Sequence, residues 1–94
     1  MGKSIISGLL QLEVLDCLYA NHPAPLAWYG FVEQFGNLDD PYLIVNIQQL
    51  IADGLIMPGA VTLVAGLECI ATAKLKLTVS GYHFIAHNPP KYKY

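Results

Sequence analysis

The length, composition and charge of this sequence exclude several classes of protein. Its 94 residues are enough for one domain with one hydrophobic core. Because 54% of the residues are hydrophobic and only 13% are charged, against about 25% in a typical domain, most of the chain is expected to fold. Its apolar runs fall short of the roughly 20 residues of a membrane helix, and no targeting signal is evident, so we expect a cytoplasmic protein.

The high apolar content also predicts a binding partner. A domain this small has too little interior to bury so many apolar side chains, which favours a homodimer or another protein as partner. The two cysteines, Cys17 and Cys69, stand among apolar neighbours and are expected to be reduced, buried thiols.

Charge is distributed unevenly along the chain, and arginine is absent. Residues 1–56 carry one lysine against six acidic residues, a net charge of −5. Residues 57–94 carry four lysines against one glutamate, a net charge of +3. The acidic first part disfavours the phosphate contacts that supply most of the non-specific affinity for DNA.

Two helices are predicted in the first part of the chain. Between Ser7 and Tyr19, apolar residues recur at the spacing of one helical face. A second helix is predicted from Pro25 to Phe35, because proline suits a first helical turn, and Gly36 ends it.

The third helix has the clearest start signal. Asp39 and Asp40 are suited to cap it, Pro41 suits its first position, and Gly54 ends it after Asp53. The predicted core, drawn from all three helices and the residue after Gly54, consists of Leu15, Leu18, Phe31, Ile47, Leu50 and Leu55.

After Gly54 the sequence pattern changes to that of strands. Residues 61–64 and 68–77 are predicted as strands on either side of Ala65-Gly66, with lysines on one face of the second strand and leucines on the other. A last helix is predicted from Val79 to about His87, capped by Thr78 or Ser80. The whole chain, 1–94, is thus one domain with its core at about 7–88, and residues 89–94 are expected to form a flexible tail.

Two segments resemble those of the winged helix-turn-helix family. The run Ile47-Gln-Gln-Leu-Ile-Ala-Asp-Gly-Leu-Ile56 is similar to the end of the family's recognition helix, where a Gly-Leu-Ile strand entry follows. The run Leu77-Thr-Val-Ser-Gly-Tyr-His-Phe-Ile85 resembles the Leu-Thr-x-x-Gly segment that leaves the wing. The resemblance implies an α+β fold, in which a three-helix bundle carries a β-hairpin wing and a C-terminal helix.

In that family the third helix usually enters the major groove of DNA while the wing contacts the backbone. The resemblance therefore implies a dimeric DNA-binding transcriptional regulator of double-stranded DNA. Asparagine and glutamine side chains can read adenine, and lysines on the wing can meet phosphates. The implied DNA-binding residues are Tyr42, Val45, Asn46, Gln48, Gln49, Lys74 and Lys76.

The sequence departs from DNA-binding members at the same positions. The third helix carries no lysine or arginine, and Ile44 and Ile51 add a second apolar stripe where a DNA-facing helix is polar. The hairpin is also more apolar than a solvated wing. These features favour the alternative, a winged-helix protein–protein interaction module that does not bind DNA.

No arrangement typical of an enzyme or a cofactor site is evident. His83 and His87 stand four residues apart on the last helix, a spacing that lets two imidazoles face one metal, but no third ligand is apparent. Residues 91–94 alternate lysine and tyrosine, which we interpret as a solubilising tail. We expect no catalytic activity, no cofactor and no bound metal.

Overall fold

The computed structural model describes residues 6–22, 24 and 27–87. Within these ranges the fold is α+β, with four α-helices, a short 3-10 helix (Thr72–Lys74) and one two-stranded antiparallel sheet. This confirms the predicted class and order of elements. The bounds are α1 Gly8–Asn21, α2 Trp28–Phe35, α3 Pro41–Ala52, β1 Val61–Val64, β2 Leu67–Ile70 and α4 Val79–His87.

The starts of α1 and α3 follow from side-chain caps. The Ser7 hydroxyl accepts a hydrogen bond from the amide of Leu10, and the Asp40 carboxylate accepts one of 2.8 Å from the amide of Tyr42. Pro41 occupies the first turn of α3, as predicted. The predicted start of α2 is wrong, because Ala27 is extended and the helix begins after it; Pro25 lies outside the described residues.

The hairpin turns through Ala65 and Gly66, which both have positive φ, as a two-residue turn between right-twisted strands requires. Its second strand is shorter than predicted. β2 ends at Ile70, because Ala71 completes the ladder with Ala60 and the chain then closes a 3-10 turn in which Lys74 N–H bonds to the Ala71 carbonyl.

The two family-like segments meet in space. Leu77 forms an antiparallel bridge with Ile56, and Thr78 N–H donates to the Leu55 carbonyl. The Thr78 hydroxyl donates to the Gly54 carbonyl and accepts from the amide of Gly81 at 2.9 Å, which caps α4. The end of α3 is therefore joined directly to the start of α4.

The core lies between the helices and the inner face of the hairpin. Five of the six predicted core residues are buried, and Leu50 is only 1% exposed, which confirms the assignment of α3; Leu55 is half-buried. Ile44 is buried as well, so part of the second apolar stripe is covered within the chain. The buried apolar residues are Val14, Leu15, Leu18, Phe31, Leu43, Ile44, Ile47, Leu50, Ile56, Ala60, Ile70, Leu75, Leu77 and Ile85.

Candidate functional site

The predicted DNA-binding residues of α3 do not form one outward face. Tyr42 is exposed, whereas Val45, Gln48 and Gln49 are half-buried. Asn46 is 0% exposed, so its predicted place on the outer face is wrong.

Asn46 is held between the start of α1 and α3 by hydrogen bonds to both. Its carboxamide oxygen accepts from the backbone amide of Ser7 at 2.8 Å and from Nε2 of Gln11 at 2.9 Å. Its Nδ2 donates to the Tyr42 carbonyl at 2.8 Å. A buried amide needs such partners, because an unsatisfied polar group costs about 1–3 kcal/mol. The side chain therefore fixes the start of α1 against α3.

The two glutamines of α3 each bond to a carboxylate. Gln48 Nε2 donates to Oε2 of Glu68 on β2 at 2.9 Å, and Gln49 Nε2 donates to Oδ1 of Asp53 at 3.0 Å. Both side-chain amides are therefore already hydrogen-bonded to acidic side chains. A DNA phosphate approaching this surface would meet those negative charges, with no basic residue on α3 to offset them.

The two lysines predicted for the wing are exposed but lie elsewhere. Lys74 ends the 3-10 helix, and Lys76 lies in the extended segment that follows, where its carbonyl accepts from Met57 N–H. Their placement on the hairpin is wrong because β2 stops at Ile70. They border a shallow cavity of about 210 Å³ with Met57, Pro58 and Ala73.

Exposed apolar side chains cluster at the tip of the hairpin. Leu63 is 68% exposed, Val64 57% and Leu67 67%. Strand register pairs Val64 with Leu67, on either side of the turn, and Leu63 with Glu68. We call Leu63, Val64 and Leu67 the hairpin tip. Val64 and Leu67 share one face of the hairpin and Leu63 lies on the other, so the tip exposes apolar side chains on both faces. Exposed apolar surface is typical of interaction sites.

The outer edge of β1 is open for backbone pairing. Ala71 N–H donates to the Ala60 carbonyl, and hydrogen-bonded pairs alternate along an antiparallel ladder. Thr62 and Val64 therefore bond across to β2, whereas the amide and carbonyl of Leu63 point away from it. In the described part of the chain, no strand lies on that side of β1.

A groove lies beside the opposite edge of the hairpin. It has a volume of about 280 Å³, and it is lined by Asp39, Pro41, Ile44, Leu67 and Glu68. The Leu38 carbonyl accepts a 2.8 Å hydrogen bond from Ile70 N–H, which holds the start of α3 against β2. We call this cavity the acidic groove. The sequence did not predict it, because its two walls come from segments about 30 residues apart.

Aromatic and histidine side chains form a second cluster where α1 meets α4. The rings of Tyr19 and His22 lie 5.1 and 4.8 Å from that of Tyr82. Tyr82 raises the pKa of Tyr19 above its ordinary value, because charge on the two hydroxyls would repel and because they share a hydrogen bond. His83 and His87 are stacked, but across residues 6–22, 24 and 27–87 no three potential ligands are grouped to hold a metal.

Comparison with known proteins does not assign this chain to a family. The chain matches no protein-family model, no curated protein and no solved structure. None of the described helices is both long enough and apolar enough to cross a membrane.

Proposed function

We propose that this protein is a winged helix-turn-helix module that binds protein rather than duplex DNA, and that its first partner is a second copy of itself. The order of three helices, a hairpin and a closing helix supports the winged-helix assignment. The contact between residues 54–56 and residues 77–78 supports it as well, because these residues belong to the two segments that resemble the family.

The observation that carries the proposal is the exposed hairpin tip beside an open strand edge. Natural proteins usually protect an edge strand with charge, proline or a bulge. Strand β1 is short, with four residues, but it reads Val61-Thr62-Leu63-Val64 and has none of these. Covering Leu63 and Val64 at this edge would remove exposed apolar side chains from water.

A two-fold dimer would pair the open edge and bring the apolar side chains of Leu63 and Val64 beside those of the partner strand. When two β1 strands pair antiparallel, the outward amide and carbonyl of Leu63 gain partners and the two hairpins form a four-stranded sheet. No like charges meet across such a contact, because β1 is uncharged. Pairing through β2 instead would bring two copies of Glu68 together, which is unfavourable.

The competing function is the dimeric DNA-binding regulator that the family resemblance implies. The burial of Asn46 and the bonds from Gln48 and Gln49 to carboxylates support the interaction function over this one. DNA binding would then depend on Lys74 and Lys76, which lie on the 3-10 helix and in the segment after it rather than on α3.

Sedimentation tests the proposed dimer. We expect the wild-type protein to be a dimer at micromolar concentration and Leu63→Lys to be a monomer, since it puts like charges at the centre of the contact. Val79→Lys is the matched control, because Val79 is 76% exposed on α4, and it should remain a dimer. A monomeric wild type, or a dimer unaffected by Leu63→Lys, would contradict the proposal.

A titration with labelled duplex DNA tests the competing function. The folded wild-type protein should give no change in fluorescence anisotropy at low salt, where phosphate contacts are strongest. Binding that weakens with salt and is lost on changing Lys74 and Lys76 to alanine would establish the DNA function and overturn ours.

A further inference from the structure

The acidic groove is a preformed cavity beside the β2 edge of the hairpin, where Leu67 lines it, whereas the proposed dimer pairs the β1 edge. Ile44, on α3, is buried at its floor, whereas Pro41 and Leu67 form exposed apolar walls. Its volume of about 280 Å³ is enough for one large side chain or two small ones. An apolar side chain placed there would be covered on several sides.

The walls of the groove are held by hydrogen bonds. Leu38 is bonded to Ile70 of β2, and the carboxylate of Glu68 is fixed by Gln48 on α3. Asp40 caps α3 next to the groove. Little ordering is therefore needed on binding, and this lowers its entropic cost.

The rim of the groove is negatively charged. Asp39 and Glu68 both line it, and no lysine or histidine does. Within the part of the chain that the structure describes, neither carboxylate forms an ion pair, and the partner of Glu68 is the neutral amide of Gln48. This charge favours a cationic ligand and disfavours nucleic acid or an acidic peptide.

The backbone of β2 offers a further contact on this side. Glu68 is paired with Leu63 at a position where the ladder hydrogen bonds point away from the partner strand. Its amide and carbonyl therefore face outward along the edge on which Ile70 N–H already bonds to Leu38. An extended peptide can use these groups by adding to the edge of the sheet.

We propose that the acidic groove binds an extended segment of another protein in which lysine or arginine residues flank an apolar residue. The apolar side chain fills the space between Pro41 and Leu67, and the cationic side chains meet Asp39 and Glu68. The peptide backbone pairs with that of Glu68. This site is separate from the β1 edge, so binding does not require the dimer.

Peptide binding can be measured by fluorescence anisotropy with three capped, labelled probes. The basic apolar probe is Lys-Val-Leu-Val-Lys, and its controls are Glu-Val-Leu-Val-Glu and Lys-Ser-Gly-Ser-Lys. We expect only the first to bind the wild-type chain, because only it supplies both charge and an apolar side chain. Equal binding of either control, or no binding of the first, would overturn the proposal.

Variants then locate the binding site. Asp39→Asn with Glu68→Gln should weaken the basic apolar probe about tenfold, through two lost charge contacts. Glu13→Gln with Glu33→Gln also removes two negative charges, but at positions outside the groove, and should leave the affinity for the basic apolar probe unchanged. If both double variants weakened probe binding equally, only long-range electrostatic attraction would be acting, and this would contradict binding in the groove. Leu63→Pro removes the amide that β1 would use in the dimer and adds no charge opposite Glu68, so it should still bind the probe, which separates this test from that of the dimer.

Discussion

Asn46 links α1 to α3 from a fully buried position and forms hydrogen bonds with Ser7, Gln11 and Tyr42. The Ser7 amide belongs to the residue that caps α1, so the link fixes where that helix begins. An amide side chain in this position stabilises the packing of two helices, and it is not available to read a base.

Replacing Asn46 tests this structural role. Asn46→Ala should lower the free energy of unfolding by about 1–3 kcal/mol, because it leaves buried polar groups without partners. Gln49→Ala removes one exposed hydrogen bond on the same helix and should cost less than about 1 kcal/mol. Urea unfolding of both variants measures the difference. Equal stability of Asn46→Ala and the wild type would show that the network contributes nothing.

Sequence reasoning placed Asn46 wrongly for a physical reason. The apolar residues of α3 occur on more than one of its faces, and Leu43, Ile44 and Ile47 are all buried. Its sequence pattern therefore does not single out one inward face. Ser7, the partner that decides the orientation, lies 39 residues away in the sequence. Such a contact leaves no local signal, whereas the cap formed by Asp40 and Pro41 does.

At the scale of elements, α4 approaches the end of α3 closely because Gly81 has no side chain. A Cβ atom there would overlap the backbone carbonyl of Leu55. Thr78 caps α4 and bonds to Gly54 and Leu55 at the same junction. The contact with residues 54 and 55 thus explains why Thr78 is followed by Gly81 three positions later.

A pair of glycine substitutions tests the junction. Gly81→Ala should destabilise the fold by more than about 2 kcal/mol, because backbone atoms must move to relieve the overlap. Gly30→Ala, at an open position within α2, should stabilise it by about 0.5–1 kcal/mol through helix propensity alone. Thermal unfolding of both variants gives the comparison. A Gly81→Ala protein as stable as the wild type would contradict the close contact.

Element type was easier to predict than element length. The helix ends at Gly36 and Gly54 and the turn at Ala65-Gly66 follow from residues with local effects. The end of β2 was predicted seven residues too late, because Lys74-Leu75-Lys76-Leu77 alternates as a strand does. Leu75 and Leu77 are buried and the lysines exposed, as that pattern implies, but Lys74 belongs to a 3-10 turn.

At the scale of the whole molecule, the apolar composition predicts a covered surface, and the structure locates exposed apolar residues at the hairpin tip. The two edges of the hairpin differ in charge. The β1 edge is uncharged and suits a second copy of the chain, whereas the β2 edge carries Glu68 beside Asp39 and suits a cationic segment. We therefore propose one contact at each edge of the hairpin, with Leu67 of the tip beside the β2 edge.

The exchange rate of the Leu63 backbone amide tests the pairing of β1 most directly. This amide points away from β2, so in a monomer it exchanges with solvent, whereas in the proposed dimer it donates to the partner strand. NMR hydrogen exchange, recorded well below and well above the dissociation constant found by sedimentation, reports the difference. Thr62 is the internal control, because its amide bonds to β2 in both states. We predict that protection of Leu63 rises with protein concentration while that of Thr62 changes little; a Leu63 amide that exchanges rapidly in the dimer would contradict pairing through β1.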